Sequence, residues 1–469
     1  MKVKSIPSSW ISRDGVRLDC NPYMSGALEA RIRLEELACM KQKLSDLTKG
    51  HDGGIYNGPH FSRNYVEDAE HGVPFLGSSS MLQADLGNLP SLLKKDAESP
   101  KLSYLKVQPG MTLISCTGTI GRMVYVRPDM NDMWSSQHIM KVLPDETKVP
   151  PGYIYAFLSS KFGIPLVTSG TYGSIIQSIE PEHIAGLPVP RLGESTELEV
   201  DGLIEAAAQL RVTSQTLLER ATSLFILNAR LEEQASWVWH RDGPEIGFTS
   251  RIGISHSLRA FNYLPRVSRL ISKLRNVEHR TLGEICSSGY LGTGARFKRI
   301  DCEPEFGVCL IGQKQGFWMR PEGRWISTAH APSGVFAENE TVMIASSGTL
   351  GEHEMYCRPI FVTGRWLKHA YTQHFLRVVS GDTEISGAYL FAFLRSELAF
   401  RCLRSMSTGS KQQEIHKALI SELPIPVLDK GLRTKIETLV RDAFSQRDQA
   451  DVSEDKAICL VEKAIEKAA

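Results

Sequence analysis

The chain has 469 residues, a net charge of +1, 42% hydrophobic and 23% charged residues. That length calls for two to four structural units, and the composition is that of an ordinary globular protein. Apolar runs are soon broken by charge, which excludes a transmembrane span. Met1-Lys-Val-Lys lacks the apolar stretch of a secretory signal. Nine cysteines, an odd number with no C-x-x-C pair, point to reduced thiols rather than a disulfide frame or a zinc finger.

In chain order, Cys20-Asn-Pro-Tyr23 comes first. It has one proline too few for the base-gripping motif of amino-methyltransferases. No strand with a Gly-rich turn accompanies it, so Asn21-Pro22 reads as a turn opening the first unit. Gly72-Val-Pro-Phe-Leu-Gly77 follows, then a strand within 110–116, a Gly118-Thr-Ile-Gly121 turn and Gln137-His138. Tyr153–Ser160 has the apolar spacing of a short helix. Ser169-Gly-Thr-Tyr-Gly-Ser174 is small and polar, and Leu187-Pro-Val-Pro190 forces an extended exit.

From about 194 to 234 the punctuation stops, with only Gly202 and no proline. Leu203, Leu210, Leu217, Leu224 and Leu231 stand seven apart, and Ala207, Ser214, Ala221 and Asn228 fill the intervening positions. That is a heptad seam on one long helix, and Leu217→Asp should destabilise it.

The same series then returns. Gly307-Val-Cys-Leu-Ile-Gly312, a strand over 341–345, Gly348-Thr-Leu-Gly351, Gln373-His374, Tyr389–Ser396, Gly409-Ser410 and Leu423-Pro-Ile-Pro426 keep the order of the first half. The later blocks share one constant offset: Gln137 to Gln373, Tyr153 to Tyr389, Gly173 to Gly409 and Leu187 to Leu423 are equal steps. A second heptad stripe, Ile436, Ala443, Ala450, Ala457 and Ala464, closes the chain. Two such helices, one rich in large seam residues and the other in small ones, are expected to pair antiparallel within the chain. The expected fold is α+β: two duplicated domains, 1–192 and 238–427, joined by long coiled-coil helices over 193–237 and 428–469, with pseudo-two-fold symmetry. A helix of about 40 residues spans roughly 60 Å at ~1.5 Å per residue, enough to set a spacing between two units.

This ordered, duplicated set resembles the specificity subunit of Type I restriction–modification systems, over nearly the whole chain. Cys309 stands where the first copy has Pro74, so the copies are not interchangeable there. The resemblance implies target recognition domains that each read half of a bipartite site in double-stranded DNA, with the helices as spacers. It implies two adenine methyltransferase subunits and restriction subunits as partners, and a prokaryotic cytoplasmic location without membrane contact. S-adenosylmethionine would sit on the methyltransferases, with ATP and magnesium on the restriction subunits. This chain itself would carry no cofactor, no metal and no catalytic residue. In keeping with that, His353-Glu354 lacks the second histidine of H-E-x-x-H, and no P-loop or G-x-S-x-G is present.

Candidate DNA contacts are Thr171, Tyr172, Ser174 and Gln177 in the first copy, and Ser410, Lys411, Gln412 and Gln413 in the second. Hydroxyls and backbone N–H groups suit phosphates, and glutamine pairs bidentately with adenine. Such segments also serve as ordinary capped surface loops. Lys298, Arg299, Gln313 and Lys314 form a further polar cluster. They lie in a basic stretch that includes Arg259, Arg266, Arg269, Lys273, Arg275, Arg280 and Arg296, read as a phosphate-facing surface or a solvated helix face. Alternative readings are the specificity subunit of a related fused methyltransferase–nuclease system, an assembly scaffold that reads no DNA, and a self-contained methyltransferase.

Overall fold

The computed structural model describes residues 3–13, 21–68, 70–118, 120–170, 178–236, 239, 245, 247–248 and 257–467. The chain forms two compact units, Met1–Val212 with Gln449–Ala469, and Thr213–Asp448.

In the first unit, β-branched and aliphatic runs build a four-stranded antiparallel sheet in the order Ile55–Tyr56, Ile139–Val142, Thr112–Ser115, Met123–Tyr125. The two central strands are buried at every position. A second sheet orders Tyr65–Val66, Ser91–Leu93, Gly72–Leu76 and Trp134–Ser135, its last pair parallel. The helix Pro151–Leu158 starts on proline, whose missing N–H costs nothing there, and is buried from Gly152 onward. Tyr153 Oη donates to the carbonyl of Pro190. Among the described residues the Pro188–Pro190 strand pairs only with Lys41–Lys43, as suits a segment short of donors.

Taken by itself, the second unit has the same frame. Its four-stranded antiparallel sheet is ordered Tyr290–Thr293, Phe375–Val379, Thr341–Ala345, Pro359–Val362. Gly307–Ile311 pairs antiparallel with Gly323–Ser327 and parallel with Ala370–Tyr371. The helix Gly387–Leu394 is capped by the Ser386 side chain, and Tyr389 Oη donates to Pro426 O at 2.8 Å. The Pro424–Pro426 strand pairs with His279–Thr281. The expected short helices, central strands and extended exits all lie within a few residues of these elements.

The long helices run Glu194–Asn228 and Lys430–Lys467. The first is shorter than its heptad pattern. Arg230 takes a left-handed φ of 56°. Leu231 N then donates to Ile226 O at 3.0 Å and Arg230 N to Leu227 O at 3.1 Å, a Schellman stop. Leu231 is buried, but beyond the helix.

The depth of burial also shifts the seam. The buried positions include Val200, Ile204, Ala207, Ala208, Ser214, Leu218, Ala221 and Phe225, whereas Leu203, Leu210, Leu217 and Leu224 are half-buried. Small residues lie where the helix approaches its surroundings most closely, and the leucines flank that line. On the second helix Ile436, Ala443, Ala450 and Ala457 are buried and Ala464 half-buried, with Val440, Arg447, Glu454 and Val461 filling the alternate positions. Within the first unit the helices run antiparallel: Glu199 pairs with Lys456, Ser453 Oγ donates to Leu203 O, and Arg211 meets Asp451 at 3.2 Å and also Glu454. Within the second, Leu218, Ala221 and Phe225 share a core with Ile436, Val440, Ala443 and Phe444. Phe225→Ala should therefore cost about 3–5 kcal/mol. Leu217→Ala should cost clearly less, and denaturant midpoints of the two variants check the order.

Each central sheet also buries a cation. Lys141 Nζ donates to Ile139 O at 2.8 Å and Ser136 O at 3.3 Å, and burial pushes its pKa down to about 7. Arg377 stands at the equivalent place in the second sheet, opposite Met343 as Lys141 is opposite Leu113. It donates to Val335 O and Phe336 O at 3.0 and 2.7 Å. Folded Lys141 releases its proton near pH 7, while the unfolded chain holds it to the ordinary 10.5. The unfolded state thus carries the extra proton between those limits, and stability rises with pH across that window. Lys141→Met should stabilise the protein by a few kcal/mol at pH 6.5 and by less at pH 9.5, read from melting temperatures at the two pH values.

Candidate nucleic-acid interface

The second unit carries a small sheet in the order Ser347–Gly348, Gln413–Ile415, Ser407–Gly409. Ser407–Gly409 and Gln413–Ile415 form a hairpin whose tip is Ser410, Lys411 and Gln412, all exposed. Gly409 has φ 101°, and a Cβ there would stand 2.4 Å from Gln412 O, so the turn requires glycine.

The base of the hairpin is tied down from several elements. Tyr356 Oη donates to Ser407 Oγ at 2.9 Å, and burial raises the pKa of that phenol. Asn262 Nδ2 donates to Ser407 O at 3.0 Å and also to Ser405 O. Arg259 Nη1 donates to Ser407 O at 3.0 Å and Gln413 Oε1 at 2.7 Å. Gln313 grips the neighbouring strand with both ends of its amide: Nε2 donates to Ser347 O at 2.7 Å, and Oε1 accepts from Ser347 N at 3.2 Å. Gln412 Nε2 donates to Ser347 Oγ at 2.7 Å.

The proposed contact residues therefore separate. Ser410, Lys411 and Gln412 come together on the exposed tip, and Lys298 and Lys314 are also exposed. Gln413 is buried, its amide taken by Arg259 and by Ser410 O. Gln313 is likewise spent on backbone. The expectation that these two glutamines contact DNA is corrected: both hold the platform. Arg299 Nη2 donates to Gln373 Oε1 at 2.9 Å. Thr171, Tyr172, Ser174 and Gln177 lie outside the described residues.

The basic stretch separates too. Arg280 pairs with Asp382 and Glu384, Arg266 with Glu245, and Arg259 is the hairpin clamp. Arg269, Lys273 and Arg275 lie on the exposed side of the helix Pro265–Arg275, opposite buried Val267, Leu270 and Leu274. Gly118 has φ 79°, as a turn demands, but Gly348 lies in a strand where a Cβ would meet Tyr356 Cβ at 2.9 Å. Close packing, not a turn, selects the second glycine. Asn21–Met24, read as a turn, is a four-residue helix. Sequence reasoning missed Asn262, Ser347 and Tyr356, whose importance comes only from long-range contacts.

Among the described residues no group of three His, Cys, Asp or Glu side chains is placed to hold a metal ion, and no helix is long and apolar enough to cross a membrane. The site as described offers hydroxyls, amides and cations on a rigid hairpin, a set suited to hydrogen-bonding a polar, anionic surface. Gln413→Ala should lower stability by about 1–3 kcal/mol, because it removes one of the two acceptors of Arg259 and the side-chain donor to Ser410 O. Gln412→Ala should stay within about 0.5 kcal/mol. Urea denaturation of both variants checks the distinction.

No protein-family model and no curated protein matches the chain. Solved structures do. The S subunit of a Type-I restriction-modification system from M. genitalium is 14% identical, with 92% of this chain and 96% of that one covered at a TM-score of 0.32. The HsdS subunit from Thermoanaerobacter tengcongensis is 13% identical, covering 93% and 95% at 0.27. A chain from a structure addressing complex assembly and conformational transition of the type I R-M system is also 13% identical, covering 91% and 97% at 0.27. At TM-scores this low, the functional reading rests on the chain's own geometry.

Proposed function

We propose that the chain is the DNA sequence-specificity subunit of a Type I restriction–modification complex and performs no chemistry itself. Each unit reads one half of a bipartite site. The two long helices, each contributing to both units, set the gap and offer docking surfaces to two adenine methyltransferase subunits. Restriction subunits join that core. S-adenosylmethionine belongs to the methyltransferases, and ATP with magnesium to the restriction subunits.

The observation that carries this reading is one sequence frame used twice with unlike residues between its repeated blocks. The Tyr153–Pro190 bond has its counterpart in Tyr389–Pro426. Along the helices, Val200, Ala207, Arg211 and Ala221 correspond to Ile436, Ala443, Arg447 and Ala457, at the same offset that separates Tyr153 from Tyr389. By contrast, Tyr172 answers to Thr408 and Ile176 to Gln412. A duplicated frame with differing residues at equivalent positions is what two unlike half-sites require, and a pseudo-two-fold suits two copies of one partner.

Co-expression with the genomic neighbours, followed by single-molecule mapping of N6-methyladenine, tests this. The expected result is a bipartite motif with a fixed gap. Exchanging residues 238–427 for those of a relative should alter one half of the motif only. An active methyltransferase complex that methylates without any motif would overturn the proposal in favour of a scaffold.

A further inference from the structure

Alongside the loops that differ, one polar cluster is the same in both units. In the first, Arg63 Nη2 donates to Gln137 Oε1 at 3.1 Å; in the second, Arg299 Nη2 donates to Gln373 Oε1 at 2.9 Å. Both members of the pair recur at one and the same offset, the one that relates Tyr153 to Tyr389. A histidine follows each glutamine, and its carbonyl is anchored the same way, accepting from Cys116 N at 3.0 Å and Ser346 N at 2.9 Å. A fourth position is basic in both copies, His60 in the first and Arg296 in the second, both exposed. The His60 and His138 rings lie 6.4 Å apart. Burial, with Arg63 and His60 adding to it, lowers the pKa of His138, as expected where positive groups gather.

Among the described residues neither Arg63 nor Arg299 is paired with a carboxylate. A glutamine amide aims the guanidinium without neutralising it and leaves the remaining N–H groups for an anion, to which the planar fork is matched. In the second unit the cluster adjoins the hairpin platform, since Ser346 anchors His374 and Ser347 anchors Gln412. A cluster that stays the same while the neighbouring tip changes must meet something that both half-sites share. In duplex DNA that is the sugar–phosphate backbone, not the base edges.

Resting on the DNA-recognition reading above, we infer that the Arg–Gln–His cluster of each unit is a backbone-phosphate clamp. It grips the strand beside the base-reading loop and sets its register identically on both half-sites.

The test uses the full chain in complex with its methyltransferase partners, and duplexes of mixed sequence and of the mapped motif. Arg299→Ala should weaken binding to both duplexes by the same factor, about tenfold. It should make the salt dependence shallower by about one unit of slope and leave the methylated motif unchanged. Arg63→Ala should behave likewise. A single neutral methylphosphonate in the half-site should reproduce the loss with the wild-type complex and add nothing to Arg299→Ala. This arm, with Arg299→Lys, keeps the test open should the alanine variant fold poorly. A changed base preference in that half-site would overturn the inference by making the arginine a base reader. Unchanged DNA affinity with loss of methyltransferase co-purification would overturn it in favour of partner docking. A wild-type complex that binds no duplex at all would instead overturn the DNA reading itself.

Discussion

The buried contact of Arg211 with Asp451 and Glu454 is the constraint on which the two-helix arrangement depends. Tyr155 Oη also donates to Glu454, at 2.5 Å. Desolvating these charges is costly, and a hydrophobic seam of equal volume would be no less stable. What the charges add is register. Most of the other seam positions are alanine, serine or aliphatic residues that repeat every seven, and so tolerate sliding by one heptad. Such a slip would set Arg211 against Phe444 and Arg447 in one direction or Ile458 and Val461 in the other. Each alternative buries an uncompensated charge. One ion-pair layer thus selects one alignment, and with it the segment of each helix that enters each core.

Small residues serve the same end by another route. Ala221 and Ala443 share a core with the apolar helix Gly387–Leu394, and Ala457 with Pro151–Leu158, whose tyrosines lock the proline exits. Many of the frame's polar groups are used internally, as the two tyrosine–proline bonds are. The hairpin of the second unit extends this logic to the surface: Arg259, Asn262, Gln313 and Tyr356 hold its base, so the exposed tip is presented without a large ordering cost on binding.

Rigid platform and variable tip are separable in this molecule. Residues whose hydrogen bonds turn inward, such as Gln313 and Gln413, tie the tip to the sheet. Residues turned outward, such as Lys411, are free to differ between the copies. The Arg–Gln pairs stand between these classes, since they are oriented by the protein yet keep their charge.

Much of the frame was legible from residues alone. The Leu-Pro-x-Pro exits, the strand over 341–345, the two short apolar helices and the long helices all follow from local rules: proline geometry, glycine punctuation and apolar spacing. The order and offset of the repeated blocks are features of the sequence itself. Which heptad set lies deepest was not legible, because Leu203 through Leu224 and Ile204 through Phe225 are neighbouring stripes with similar spacing. Only the approach of small residues on the opposing surfaces ranks them. Nor could the sequence tell the exposed glutamine of the hairpin from the buried one. Gln412 and Gln413 are chemically identical, and the difference lies in a strand pairing that brings Arg259 and Ser347, 154 and 65 residues away, against one side of the hairpin. Local propensity wrote the elements; long-range hydrogen bonding decided which side chains were left over for a ligand.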